Sequence, residues 1–325
     1  MLYPLTFHPI FKKRVWGGRK LEELYNKPLP VGVPIGESWE ISDRPGDVSV
    51  IANGSLAGKD LHWALQHHAA ELLGNVKALR GRFPLLVKIL DAREKLSLQV
   101  HPPTNKAVKL GGESKTEMWY IADATAGAEL YVGLKRDVTR HEFEEKLRAG
   151  TVAECVQRLK VQAGDAMFLP SGRVHAIGAG LVIFEIQENS DTTYRVFDWN
   201  RAGLDGKPRD LHVRQSLASI DFKDFEPALI SAGVSGSGPA KVRPLVNDSI
   251  FKVDVHMAEA GASVPLLPHT MQIIATLSGR VSLGEGGNGL SLSAGQFCLI
   301  PASLSGIQLN TIERATFLRV ETGEN

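Results

Sequence analysis

The sequence predicts a mainly β protein: two jelly-roll β-barrel units with a few inserted helices. Three observations carry this. Leu96-Ser97-Leu98-Gln99-Val100-His101-Pro102 alternates strictly, as a strand with two faces does. The 325 residues include 32 glycines and 17 prolines, which suits many short strands joined by tight turns. Finally, Ala163-Gly164-Asp165-Ala166-Met167-Phe168-Leu169-Pro170 is echoed by Ala294-Gly295-Gln296-Phe297-Cys298-Leu299-Ile300-Pro301. Two copies of one unit account for a chain longer than a single core usually fills.

Helix-like stretches are few. Leu61 to Leu73 has apolar residues at Leu61, Leu65, Leu72 and Leu73, and Asp137 to Arg148 has an N-cap at Thr139 with Phe143 and Leu147 one turn apart. Insertions are therefore expected at about 60–80 and 137–158. Leu211 to Ile220 is a third candidate. The segment 231–239 is small, polar and flexible, a natural linker between a unit at 1–232 and a second at 240–325. In the repeat, Thr270 takes the place of Glu117 and Gly306 that of His175, so the second unit lacks the candidate ligands discussed below.

Composition excludes several classes. Hydrophobic content of 43% and charged content of 22% describe a soluble globular chain, and a net charge of +1 offers no field for nucleic acid or an acidic membrane. No apolar run is long enough to cross a bilayer, and the N-terminus lacks a signal-peptide core. Two distant cysteines, Cys155 and Cys298, fit a reduced, cytoplasmic protein without a disulfide.

The chemistry concentrates on polar faces of apolar strands. Ser97, Gln99 and His101 point one way, and Glu117 stands alone in Thr116-Glu117-Met118-Trp119-Tyr120-Ile121. An unpaired buried polar group costs about 1–3 kcal/mol and a bare carboxylate far more, so something should fill the space these groups face. A metal ion fits best. Each residue taken alone could equally be a satisfied polar group near a turn. Gly164 to His175, with its Pro170–Gly172 turn and terminal His175, resembles the second signature motif of the cupin superfamily. That motif directs a histidine into a small barrel. His101, His175, Glu117 and the Gln99 amide then suit a catalytic Zn²⁺ or a similar divalent ion.

Several motifs in order resemble the type I phosphomannose isomerases: Leu98 to Pro102, Lys115 to Tyr120, Pro170 to His175, and Asp191-Thr192-Thr193-Tyr194-Arg195-Val196-Phe197-Asp198. The resemblance runs from about Trp16-Gly17-Gly18 to about Arg201. It implies a zinc-dependent interconversion of mannose 6-phosphate and fructose 6-phosphate, with one Zn²⁺ per chain and a phosphorylated hexose as partner. By the same resemblance, Gln99, His101, Glu117 and His175 match metal ligands, and Arg195 matches the catalytic arginine. Ser97, Lys88 and Lys115 match phosphate- and sugar-binding positions, and Glu185 and Asp191 match acidic positions of the same pocket. Met118 and Arg173 depart from the family pattern. Arg173 could crowd the pocket mouth or contact phosphate.

The residues support that chemistry in part. Isomerisation develops negative charge on sugar oxygens, which a metal and a permanently charged arginine can stabilise. Lys88, inside Pro84-Leu85-Leu86-Val87-Lys88-Ile89-Leu90, either snorkels to an edge or has an anionic partner. Trp16, Trp39, Trp119 and Tyr120 either stack on a sugar or pack the core. The proton carrier stays open among Asp191, Glu185, His8, a metal-bound water and the sugar's own hydroxyl. Rival readings are another cupin enzyme using Fe(II), a non-enzymatic sugar- or metal-binding cupin, and an isomerase of unphosphorylated mannose. The cations Lys88, Lys115 and Arg195 favour a phosphosugar.

Overall fold

The computed structural model describes residues 2–284 and 289–323. Strands of the first unit form two sheets. The larger runs, edge to edge, Ile10–Gly18, Ile35–Ile41, Leu85–Ala92, Leu181–Glu188, Glu117–Ala124 and Ala166–Leu169. The smaller runs Tyr194–Phe197, Leu98–Val100, His175–Ile177, Glu129–Leu134 and Val156–Lys160. The second unit repeats the plan with five strands (Ala240–Asn247, Phe251–Ala258, Ala315–Thr322, Gln272–Ser278, Phe297–Ile300) and four (Ser263–Pro265, Gln308–Thr311, Arg280–Leu283, Leu290–Ser293). Every pairing between these strands is antiparallel, as a jelly roll requires. Each unit is thus the jelly roll expected, built as two facing sheets that do not close into one continuous barrel.

Strand Leu85–Ala92 is buried along its whole length because both of its faces are covered. Leu85, Val87 and Ile89 join a core shared with Val253, Ile273, Leu299 and Leu318 of the second unit. Leu90 and Ala92 face the first unit's own interior. The units thus pack sheet against sheet, with helix Leu61–Leu73 in the same core. The N-terminal segment also crosses over: Leu5 and Leu299 exchange backbone hydrogen bonds of 2.9 and 2.8 Å. Sequence placed residues 1–9 with the first unit, whereas Leu5 extends the second unit's sheet.

Helix Leu61–Leu73 starts at Asp60, whose carboxylate accepts from Trp63 N at 2.7 Å, and Leu61, Leu65, Leu72 and Leu73 are buried as the spacing predicts. Helix Arg140–Ala149 starts at Thr139, whose Oγ1 accepts from Glu142 N at 3.1 Å. The insertion expected to reach 158 ends earlier, because Val156 opens a strand. The third candidate, Leu211 to Ile220, forms the helix Val213–Ser219, and short helices not read from sequence lie at Lys20–Tyr25 and Thr104–Ala107. Cys155 and Cys298 are both free and buried. Among the described residues, no helix is long and apolar enough to cross a membrane.

Two further expectations change. The segment 231–239 is mostly exposed but tied at two points: Arg243 donates to the Ala232 carbonyl (3.1 Å), and Ser235 exchanges backbone hydrogen bonds with Val242 (2.8 and 3.0 Å). The repeat is real, but its upstream register shifts by two residues. Leu169 pairs with Glu117, and its counterpart Ile300 pairs with Gln272. Gln272, not Thr270, therefore occupies the place of Glu117. Its buried amide is used up on backbone, accepting from Leu267 N and donating to the carbonyls of Leu267 and Thr270. Gly306 lies in the turn before Gln308–Thr311 and is on no strand.

Candidate metal centre and cleft

Strand register assembles the site. In the smaller sheet Arg195 pairs with Gln99, and Gln99 with His175, so the three form one row across neighbouring strands. In the larger sheet Lys88 pairs with Trp39 on one side and Glu185 on the other, and Glu185 pairs with Trp119. Paired residues share a face, so this second row looks toward the first. Glu117 is two residues from Trp119 and on the same face. The Pro170–Gly172 turn needs Gly172 at φ 97°, and it delivers His175 as the first residue of its strand.

His101, Glu117 and His175 bring their donor atoms within 4.8 Å of one another, all buried. His175 Nε2 lies 3.2 Å from Glu117 Oε1, and His101 Nε2 lies 3.4 Å from Glu117 Oε2. Donors bonded at about 2.0–2.1 Å to one tetrahedral Zn²⁺ stand about 3.3–3.4 Å apart, so the spacing suits such an ion. Proton placement suits it too. His101 Nδ1 donates to the Thr192 carbonyl (2.8 Å) and His175 Nδ1 to the Arg173 carbonyl (3.0 Å), because a carbonyl only accepts. Burial depresses both imidazoles, His175 to about 3, so they are neutral and their contacts with Glu117 are not ion pairs. Each Nε2 therefore turns a lone pair toward a carboxylate. Glu117 Oε1 is buried without a hydrogen-bond partner, an orphan acceptor that a cation would satisfy.

Gln99 points its amide nitrogen at His175 Nε2 from 3.3 Å, and half a turn of the amide would present its oxygen instead. Lys115 Nζ reaches Glu117 Oε2 at 2.5 Å and His101 Nε2 at 3.3 Å. Burial acts most strongly on Glu117 and works against its charged form, yet the Lys115 ammonium together with His101 and His175 outweighs it and holds the carboxyl well below the ordinary range.

Beside this centre opens a cleft of about 340 Å³. Of the residues named from sequence, Ser97, Gln99, Lys88, Lys115, Glu185, Asp191 and Arg195 all line it. Lys88 has anionic partners and does not snorkel: it is buried, 3.6 Å from Glu37 and 3.4 Å from Glu185. Burial would raise Glu37, but Lys88 and Arg14 bring it down to about 2. Glu185 is raised by burial and by the carboxylates of Glu117 and Glu37, against Lys115 and Lys88. Trp39 and Trp119 serve core and site together. Each is fully buried and donates its indole N–H to a site carboxylate, Trp39 to Glu37 (2.6 Å) and Trp119 to Glu185 (3.0 Å). Trp16 lines the cleft, whereas Tyr120 packs against the shared core.

Arg195 donates through Nη1 to the Asp210 carbonyl at 2.7 Å, while its Nε is buried and unpartnered. Arg173 neither crowds the cleft nor faces it. It is locked to both oxygens of Asp224 (2.8 and 2.7 Å) and to the Phe168 carbonyl (2.7 Å). His8 is exposed and absent from the lining. Sequence reasoning missed Arg14, Glu37 and Arg209, which also line the cleft. Glu37 carried a signal in the alternation Glu37-Ser38-Trp39, the same kind that exposed Glu117. Arg14 follows two lysines and looks like a solvated basic run.

Two jelly rolls, one of them carrying a His–Glu–His cluster against a polar cleft, define a cupin-type protein with a candidate metal centre. A family model for the catalytic domain of type I phosphomannose isomerase matches residues 5–128. The chain is 33% identical to the mannose-6-phosphate isomerase of Streptococcus mutans over 314 residues, covering 95% of this chain and 96% of that one. It is 41% identical over 220 residues to mannose-6-phosphate isomerase ManA of Bacillus subtilis, covering 67% and 68%. A crystal structure of mannose 6-phosphate isomerase from Bacillus subtilis superposes with a TM-score of 0.89 at 28% identity, covering 98% of this chain and 100% of that one. The chain belongs to the type I phosphomannose isomerase family.

Proposed function

We propose that this protein is a zinc-dependent aldose–ketose isomerase interconverting mannose 6-phosphate and fructose 6-phosphate in the cytoplasm. The observation that carries the reading is the pair of imidazole Nε2 atoms turned on a buried carboxylate at the edge of a cation-lined cleft. His101, Glu117 and His175 would hold one Zn²⁺ per chain, with Gln99 as an amide-oxygen ligand. Bound there, the ion would polarise sugar oxygens.

The chain's own residues take the remaining roles. Arg195 keeps its charge at any working pH and has an unpaired Nε–H to offer a developing oxyanion. Lys88 and Lys115 supply the positive charge a phosphate dianion needs, and Ser97 adds a hydroxyl donor. Glu185 is the acid of this set that burial raises, and Asp191 is the exposed one. Trp119 fixes Glu185 by its indole N–H, with Oε1 left beside Lys88 and Lys115. The second unit would contribute packing without a metal, since Gln272 stands where Glu117 would.

A coupled assay for both hexose 6-phosphates, run with metal analysis on the same sample, tests the proposal. Turnover with about one zinc per chain supports it. Full metal loading without turnover of either sugar phosphate would leave a binding protein instead.

A further inference from the structure

We infer that Arg44, which does not line the cleft, is a positioning residue for the metal centre, an inference that rests on the proposed metal reading. The Asp43–Arg44 strand forms a small hairpin with Asp47–Val48, anchored by the fully buried Asp43. Asp43 accepts from Phe83 N (2.8 Å) and Arg82 Nη1 (2.8 Å). From that base the Arg44 guanidinium reaches two loops at once. Nη1 donates to the Asn189 carbonyl at 2.8 Å and lies 2.7 Å from Glu113 Oε2.

Glu113 belongs to the loop that leads into Lys115 and Glu117. Asn189 opens the loop that contains Asp191 and Thr192. The loops are laced where Glu113 N donates to Thr192 Oγ1 (3.0 Å) and Ser190 Oγ donates to the Glu113 carbonyl (3.5 Å), and within the second loop Thr192 N donates to Ser190 Oγ (3.2 Å). Thr192 then offers its carbonyl to His101 Nδ1. That carbonyl decides which imidazole nitrogen carries the proton, and so which one faces Glu117. The Asn189 amide is itself tied to the Asp43 and Phe83 carbonyls (3.2 and 2.8 Å), and Arg44 joins the Glu113 loop to that anchor, so that the two loops keep register and the carbonyl keeps its aim. Arg80 also reaches Glu113 (3.0 Å), but its side chain is about half exposed, 47%, and it makes no bond to the second loop.

The test is zinc affinity by chelator competition on the metal-stripped full chain, with unfolding of the apo form followed in parallel. Arg44→Ala should weaken zinc about tenfold, the low end for an outer partner of a ligating histidine. Arg44→Lys keeps one charged donor and should recover part of the loss. Thr192→Val removes the Oγ1 that ties Glu113, and should weaken zinc by a similar factor. Because both changes act through one carbonyl, the double variant should lose little more than the larger single. Additive losses, or an Arg44→Ala affinity within about twofold of wild type, would overturn the inference. Should Arg44→Ala fail to fold, Thr192→Val with Glu113→Gln decides the same question, and unchanged zinc affinity in both rejects it. A wild type that binds no zinc defeats the metal reading itself, a result distinct from failure of Arg44.

Discussion

Replacing Lys88 by methionine tests the electrostatics of the cleft floor. Lys88 is buried between two buried carboxylates, Glu37 and Glu185. Methionine keeps an unbranched apolar stem of nearly the same length and removes the ammonium with its charge and donors. Removing one partner of a buried ion pair costs about 3–5 kcal/mol, because the other charge is stranded. Two features hold the cost near the lower figure. Glu37 retains Arg14 (2.6 Å) and the Trp39 indole (2.6 Å). Glu185 is already raised by burial, so it can take up a proton and escape the penalty. We expect a loss of about 3 kcal/mol at neutral pH, measured by urea unfolding of the apo form.

The sign with pH follows from linkage. A carboxyl whose folded pKa lies above its unfolded value costs stability when ionised. That cost is absent below the unfolded pKa and fully present above the folded one. Loss of Lys88 raises Glu185 further, so the deficit of Lys88→Met should grow from pH 5 to pH 8. A deficit below about 1 kcal/mol, equal at both pH values, would refute the reasoning and make Lys88 a snorkelling residue.

Other outcomes follow from the same geometry. His175→Ala should lose metal and activity together, seen by metal analysis and turnover, because it removes one of three close donors. Arg195→Ala should retain metal and lose mainly kcat, since it stands beside Gln99 without joining the donor cluster; a normal kcat would remove it from the mechanism. Leu299→Ala cuts into the core shared by the two units and should cost about 2–5 kcal/mol, with one cooperative transition in calorimetry; two separated transitions would contradict a shared core.

Much of the site was legible because strands alternate. Ser97, Gln99 and His101 share a face by period alone, and Glu117 stood out as a lone carboxylate among large apolar residues. What was not legible came from pairings between distant strands. Arg14 and Glu37 enter the cleft because Ile35–Ile41 lies beside Leu85–Ala92, and Ile10–Gly18 beside Ile35–Ile41, in the larger sheet, which no local pattern states. The two-residue shift that puts Gln272 in place of Glu117 depends on how each strand pairs with its neighbour, and similarity between short motifs does not fix that register. Arg173 looked like a pocket residue because it sits in the turn before His175. Its partner Asp224 lies 51 positions away and draws it aside. The sharing of one core between units was hidden for a related reason. A run such as Leu85 to Leu90, apolar but for Lys88, says that both faces are covered, not by what.

Anomalous diffraction at the zinc edge, on crystals of protein reconstituted with zinc, tests the central claim most directly. One strong peak should lie among His101 Nε2, Glu117 and His175 Nε2, bonded at about 2.0–2.2 Å, with Lys115 Nζ drawn back from Glu117. Density for zinc only elsewhere, with Lys115 still bonded to Glu117, would contradict it.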